Sequence, residues 1–215
     1  DFSVVPLGGF SNWDSLLHID WLFSNAFGEK IKCYVVLDRD YDTDLEVKQI
    51  VTDLEQKGVK AHIWERKEIE NYAIDFKALY RILLEKYCER YNGTTMPLSM
   101  DQFEQKALEI FEDCKSEVLS QIIAHEIRSK VDNSIDHSTI IAEVIARFND
   151  LWRDIELRKK VVPGKVFFAK LNAWLTVEYH IEISVARIIN SLHVDEIPRE
   201  VKDMISEFSR LLKSH

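Results

Sequence analysis

The sequence predicts an α/β chain: a small parallel sheet at the start, then a long run of helices. Three observations carry that expectation. Two short β-rich segments, Ile31–Leu37 and Val59–Trp64, flank an amphipathic segment, and strand–helix–strand order of this kind closes a parallel pair through a crossover. After about residue 70 the period-2 pattern disappears and helical spacing takes over. Gly and Pro number only six and four in 215 residues, which suits long helices better than a turn-rich β fold.

In chain order, Phe2–Leu7 reads as a short strand closed by Gly8-Gly9. Ser11, Asn12 or Asp14 can cap a helix over 13–27, with Trp13, Leu16, Leu17, Trp21 and Leu22 at helical spacing. The strand Ile31–Leu37 follows. A helix over 43–57 carries Leu45, Val47, Ile50, Val51 and Leu54 on one face and stops at Gly58. Val59–Trp64 is the next strand. Helices are then predicted over 75–92, 100–131, 137–160, 165–180, 184–192 and 198–213, punctuated by Asn92–Pro97 and Val162-Pro163-Gly164. The two long central helices, laced with Glu, Lys and Arg, read as an antiparallel insertion with a solvated face. This divides the chain into a sheet core over 1–74, a helical insertion over 75–160 and a closing segment over 161–215.

Composition narrows the function. A formal net charge of −9 supplies no general attraction for nucleic acid, so any such contact is local or metal-assisted. Cys33, Cys88 and Cys114 have no CxxC spacing, which fits a reducing cytoplasm and no structural zinc or disulfide framework. No signal-peptide pattern appears, nor an apolar span of about 20 residues, so no membrane segment is expected. The chain opens without Met, directly in an apolar run, and is expected to be a piece of something longer.

The chemistry gathers at strand ends. Asp38, Asp40 and Asp42 follow the strand ending at Leu37, where open α/β sheets place their ligands. If the strand runs on through them, Asp38 and Asp40 share one side. Carboxylates packed so closely repel unless a cation lies between them, and oxygen-only ligands suit Mg²⁺ or Mn²⁺. The same residues also fit loop and cap chemistry, with Asp42, Thr43 or Asp44 capping the next helix. Glu65, Glu68 and Glu70 follow the second strand; Glu70 can complete a metal shell, or the cluster can serve as an acidic helix start. Pro163-Gly164-Lys165 puts an ammonium in the first turn of a helix, the wrong sign for the dipole. A phosphate partner would explain it, as would simple exposure. His62 reads as a core or rim residue, His125 and His137 have no partner at metal-ligand spacing, and Phe148, Trp152, Phe168 and Trp174 read as inter-helix core. Neither GxGxxG nor GxxxxGK[ST] occurs.

With these residues laid out, the chain resembles the Toprim domain of OLD-family (overcoming lysogenization defect) nucleases and related anti-phage Toprim proteins. The matching pieces are Val5-Pro6-Leu7-Gly8-Gly9, Val36-Leu37-Asp38-Arg39-Asp40, Glu68-Ile69-Glu70-Asn71-Tyr72 and Pro163-Gly164-Lys165, in the family's order. The resemblance implies a Rossmann-like sheet interrupted by a helical insertion, binding Mg²⁺ or Mn²⁺ and cutting phosphodiester bonds in DNA or tRNA. It implies an upstream or partner ABC-type ATPase and a cytoplasmic setting. By position, Asp38 and Asp40 correspond to the DxD metal ligands, Glu70 and Glu68 to the second carboxylate cluster, and Lys165 to the lysine that neutralises the scissile phosphate. The family signature opens with a glutamate that nothing before Gly8 supplies, so residues 1–215 alone are expected to bind metal poorly and cut weakly.

Two rivals remain. One is a non-catalytic binding or homo-oligomerisation module, supported by the apolar stripe Leu108, Phe111, Val118, Leu119, Ile122 and Ile123. The other is a haloacid-dehalogenase-type phosphatase, whose nucleophile strand Asp38-Arg39-Asp40 superficially matches. That family wants Thr or Val where Asp42 stands.

Overall fold

The computed structural model describes residues 33–130 and 136–213. The strand predicted at 2–7 and the helix predicted at 13–27 lie outside the described residues. Most of what is described is helical, with one two-stranded parallel sheet. The chain divides into two compact units. The first takes in residues up to Glu65 together with those from Pro198 onward, and the second runs from Arg66 to Ile197.

In the first unit, β1 (Tyr34–Leu37) pairs in parallel with β2 (Lys60–Ile63), in a register that sets Tyr34 opposite Lys60 and Leu37 opposite Ile63. The crossover between them is α1 (Asp44–Gln56). Thr43 starts α1 through a capping box: its backbone N–H donates to Glu46 Oε2 at 2.7 Å, and the Glu46 N–H donates to Thr43 Oγ1 at 3.3 Å. The helix stops in a Schellman arrangement. Gly58 adopts φ +79° and donates to Glu55 O, while Val59 N–H reaches Leu54 O at 3.0 Å. That turn delivers Val59 beside Leu54 in a small core with Val35, Leu37 and Ile63. Strand alternation leaves Tyr34, Lys60 and His62 on the other face, where they meet α8 (Arg199–Lys213). Glu207 takes Tyr34 Oη and Lys60 Nζ, each at 3.4 Å, and Glu200 lies 3.1 Å from His62 Nε2. Burial, together with the charge and hydrogen bond of Glu207, pushes the Tyr34 hydroxyl up to about 12.

The second unit opens with a short 3₁₀ turn, Ile69–Ala73, followed by α2 (Phe76–Arg90), α3 (Met100–Ser129), α4 (His137–Arg153), α5 (Ile155–Val161), α6 (Gly164–Tyr179) and α7 (Val185–Ser191). Side-chain oxygens of Asp75 and Ser99 cap α2 and α3. The helix predicted over 137–160 is two helices. Asp154 leaves helical geometry and its carboxylate accepts from the N–H groups of Glu156 and Leu157, so the chain restarts as α5. Arg158 holds the break from the other side, donating through Nε to Trp152 O and through NH1 to Glu112 at 2.8 Å.

Helices α3 and α4 are antiparallel, because the ties that join them run in opposite chain directions. Lys130 pairs with Glu143, Glu126 with Arg147, and Glu112 with the Trp152 indole. Their apolar sides join α2 and α6 in one core, where the rings of Phe76, Phe111 and Phe167 lie 5.8 and 5.4 Å apart in sequence. Phe148, Trp152 and Phe168 are buried as expected, whereas Trp174 is half-buried against Tyr179. Among the described residues no helix is long and apolar enough to cross a membrane.

Candidate functional site

The two acidic clusters singled out in the sequence sit in different units: Asp38 and Asp40 in the first, Glu68, Glu70 and Lys165 in the second. At the first, β1 ends at Leu37 and does not run on through Asp38 and Asp40. Strand alternation therefore does not place these carboxylates; a tight turn does. Asp42 N–H donates to Arg39 O at 3.1 Å, and Asp40 lies inside the turn at φ +49°. Asp tolerates this left-handed region better than most residues, because its short polar side chain compensates locally. Arg39 folds along the turn, donating through Nε to Asp42 O at 2.9 Å and pairing with Asp44. The hydrogen bond from Arg39 NH2 to Asp44 Oδ1 and the arginine's charge hold the Asp44 carboxyl below its ordinary value. Of the three cap candidates, Thr43 is the one that caps α1. Asp38 and Asp40 thus stand at the carboxyl edge of a parallel βαβ unit, on a turn braced by its own arginine.

The second cluster is built around Asn71, which is fully buried, 0 % exposed. Its Nδ2 donates to Lys159 O at 2.8 Å and to Val162 O at 2.7 Å, and its Oδ1 accepts from Glu68 N–H at 3.1 Å. The two Nδ2 bonds tie the 3₁₀ turn to the end of α5 and the chain entering α6. Lys67 N–H adds a bond to Lys160 O at 2.8 Å, and Arg66 NH1 reaches Asn71 O while its guanidinium lies over the Tyr72 ring. The approach is so close that only glycine fits at 164. A Cβ there would stand 2.8 Å from Glu70 Cβ and 3.0 Å from Asn71 N.

This docking brings the predicted residues Glu68, Glu70 and Lys165 together, each in a different electrostatic setting. Glu68 and Lys67 are both 8 % exposed and form a salt bridge at 2.8 Å. The other Glu68 oxygen accepts the Lys165 backbone N–H at 3.2 Å, so a carboxylate sits at the positive end of α6 and offsets the misplaced lysine. Burial alone would raise the Glu68 carboxyl. The Lys67 hydrogen bond and charge, with the Lys165 N–H and charge, outweigh it and hold the group below its ordinary value. Glu70 differs: Oε1 is 3.9 Å from Lys165 Nζ, beyond hydrogen-bond reach, and Oε2 is shut from solvent with no hydrogen-bond partner. Lys165 itself is 64 % exposed.

Sequence reasoning did not single out Asn71, Gly164 or Lys67 as structural determinants. An isolated Asn or a Gly after Pro has no local signal for a contact made about 90 positions away. Comparison of the chain with family models, with curated proteins and with solved structures gives no match.

Proposed function

We propose that this chain is a divalent-metal-dependent phosphodiester hydrolase, a nuclease domain of the OLD-like Toprim kind that works with an ABC-type ATPase on DNA or tRNA. In this reading the parallel βαβ unit is the remnant of a Toprim core. The observation that carries it is Glu70. A carboxylate oxygen buried without a donor is costly, and a bound cation is the ordinary remedy. Carboxylate oxygens such as those of Asp38 and Asp40 in the first unit, and of Glu70 in the second, are of the kind that suits Mg²⁺ or Mn²⁺. Such an ion supplies Lewis-acid polarisation of the phosphoryl oxygen and a more acidic bound water.

The chain's own residues have distinct tasks. Asp38 and Asp40 would hold an ion from a turn at the carboxyl edge of the sheet. Glu70, in the second unit, would be a carboxylate ligand and an acceptor for a water proton. The exposed Lys165 ammonium neutralises charge on the scissile phosphate. Glu68, tied to Lys67 and to the first turn of α6, keeps Lys165 beside Glu70. Manganese titration by calorimetry, with Mn²⁺-dependent plasmid nicking, tests the reading on the full chain, Asp40→Ala and Glu70→Gln. Both variants are expected to lose nicking and bind Mn²⁺ more weakly; nicking by Asp40→Ala at the rate of the parent chain overturns the assignment.

A non-catalytic assembly module is the second reading, favoured by α8, where Ile205 is 52 % and Leu212 40 % exposed and no residue is fully buried. Light scattering that finds a stable oligomer, together with no Mn²⁺ affinity, favours that alternative.

A further inference from the structure

Away from Glu70 and Lys165, the helical unit contains an open cavity of about 840 Å³. Its walls come from the end of α2, the second half of α6 and the chain entering α7. Lys86 and Arg90, four residues apart, lie on one face of α2, and Arg187 of α7 and His180 join them in the lining. Glu182 is the one carboxylate there. Neither Lys86 nor Arg90 forms a hydrogen bond or an ion pair with any described residue. Arg187 gives one arm to Glu89 at 2.6 Å, but its Nε is buried without an acceptor.

In a chain of net charge −9, three cations gathered in one concavity repel one another; Glu89 pairs with Arg187, and the Lys86 charge also helps to hold that carboxyl below its ordinary value. The walls are braced independently of any ligand. Asn172 exchanges two hydrogen bonds with the backbone of Ile183, both at 2.8 Å, and Thr176 Oγ1 donates to Glu182 at 3.3 Å, drawing that carboxylate onto α6. His180 closes the end of α6 in the left-handed conformation, φ +52°, and the following N–H of Ile181 returns to Leu175 O.

We propose that this cavity binds a small phosphate-bearing anion of the di- or triphosphate class. Two guanidinium groups and an ammonium can surround several phosphoryl oxygens, the guanidinium forks bidentately and the ammonium as a point charge. The lining has no Phe, Tyr or Trp, its one ring is the His180 imidazole and Ile183 is its one large apolar member, so the recognised part of the ligand is the phosphate chain. The volume accommodates a free oligophosphate or the phosphate tail of a nucleotide. The site is separate from the metal reading and does not depend on it.

Calorimetric titration of the full chain with pyrophosphate and with triphosphate, in EDTA and at low salt, tests this. Sulfate and an unphosphorylated oligonucleotide serve as controls. Triphosphate is expected to bind more tightly than pyrophosphate, and both more tightly than sulfate. Lys86→Ala and Arg90→Ala remove no hydrogen bond or ion pair among the described residues and are expected to keep the parent's circular dichroism while each weakens triphosphate binding about tenfold. Lys86→Arg is expected to retain it. A nucleoside triphosphate that competes with triphosphate identifies a nucleotide tail as one source of the bound group. Absence of oligophosphate binding, affinity no better than for sulfate, binding unchanged when Lys86→Ala and Arg90→Ala are combined, or preference for the oligonucleotide each overturns the proposal.

Discussion

Replacing Asn71 by Asp changes one NH₂ group to an oxygen and almost nothing in shape, and it should rank among the most damaging substitutions in the helical unit. Nδ2 faces two carbonyl oxygens, Lys159 O at 2.8 Å and Val162 O at 2.7 Å, so the amide orientation is dictated by its partners. In Asn71→Asp the contact to Glu68 N–H survives, both donor bonds vanish, and a carboxylate oxygen is pressed against two carbonyls with no water to screen it. Two buried acceptors left without donors cost about 1–3 kcal/mol each. The added repulsion brings the expected loss to about 4 kcal/mol, a large share of a typical domain's stability. Asn71→Ala loses all three bonds but adds no charge, and it opens space that a water can occupy.

At pH 7 the Asp variant should therefore be at least as unstable as the Ala variant, despite the smaller change in volume. Protonation restores one donor and removes the charge, so the carboxyl of Asn71→Asp should titrate above its unfolded value. Its deficit relative to the parent should then shrink as pH falls toward 4. Urea unfolding of the full chain, followed by far-ultraviolet circular dichroism at pH 7 and pH 4.5, measures this. An Asp variant within about 1 kcal/mol of the parent at pH 7 would refute the claim that these two donor bonds hold the 3₁₀ turn to α5 and α6.

Two further outcomes follow from the same junction. Gly164→Ala gains helix propensity of about 1 kcal/mol, yet its Cβ meets Glu70 Cβ at 2.8 Å. The variant should melt lower than the parent by a net of about 2 kcal/mol, and a raised melting temperature would show that the packing gives way freely. Glu68 has a depressed carboxyl, so its contribution is present above the ordinary value of 4.5 and is lost as pH falls through the lower folded value. The urea midpoint of the parent should exceed that of Glu68→Gln at pH 7, with the gap closing below about pH 4.5. A gap that stays constant from pH 7 to pH 3 would contradict the ion-paired state of Glu68.

Local patterns made most of the elements legible. Apolar residues at helical spacing, with Thr43 as one of the start candidates and Gly58 at a stop for α1, place α1, α2 and α3 within a few residues of where they lie, because capping and amphipathicity act within a turn or two of chain. The parallel pairing of β1 with β2 was likewise readable, since a helical crossover of this length admits little else. Short range also explains the misjudged details. Asp154 interrupts a periodic stretch by competing for the next N–H groups, and the turn after Leu37 takes Asp38 and Asp40 out of strand alternation.

What no local pattern contains is the meeting of 66–72 with 159–165. Asn71 and Gly164 matter only because two segments about 90 residues apart pack without room for a single Cβ, and the buried amide then has to satisfy the carbonyls that this contact cuts off from water. The same holds for Lys86, Arg90 and Arg187, which are unremarkable surface cations in sequence and become one basic cavity only when α2, α6 and α7 pack. Propensity and periodicity are properties of neighbours along the chain. Burial, orphaned polar groups and clustered charge are properties of neighbours in space, and only the tertiary structure decides who those are.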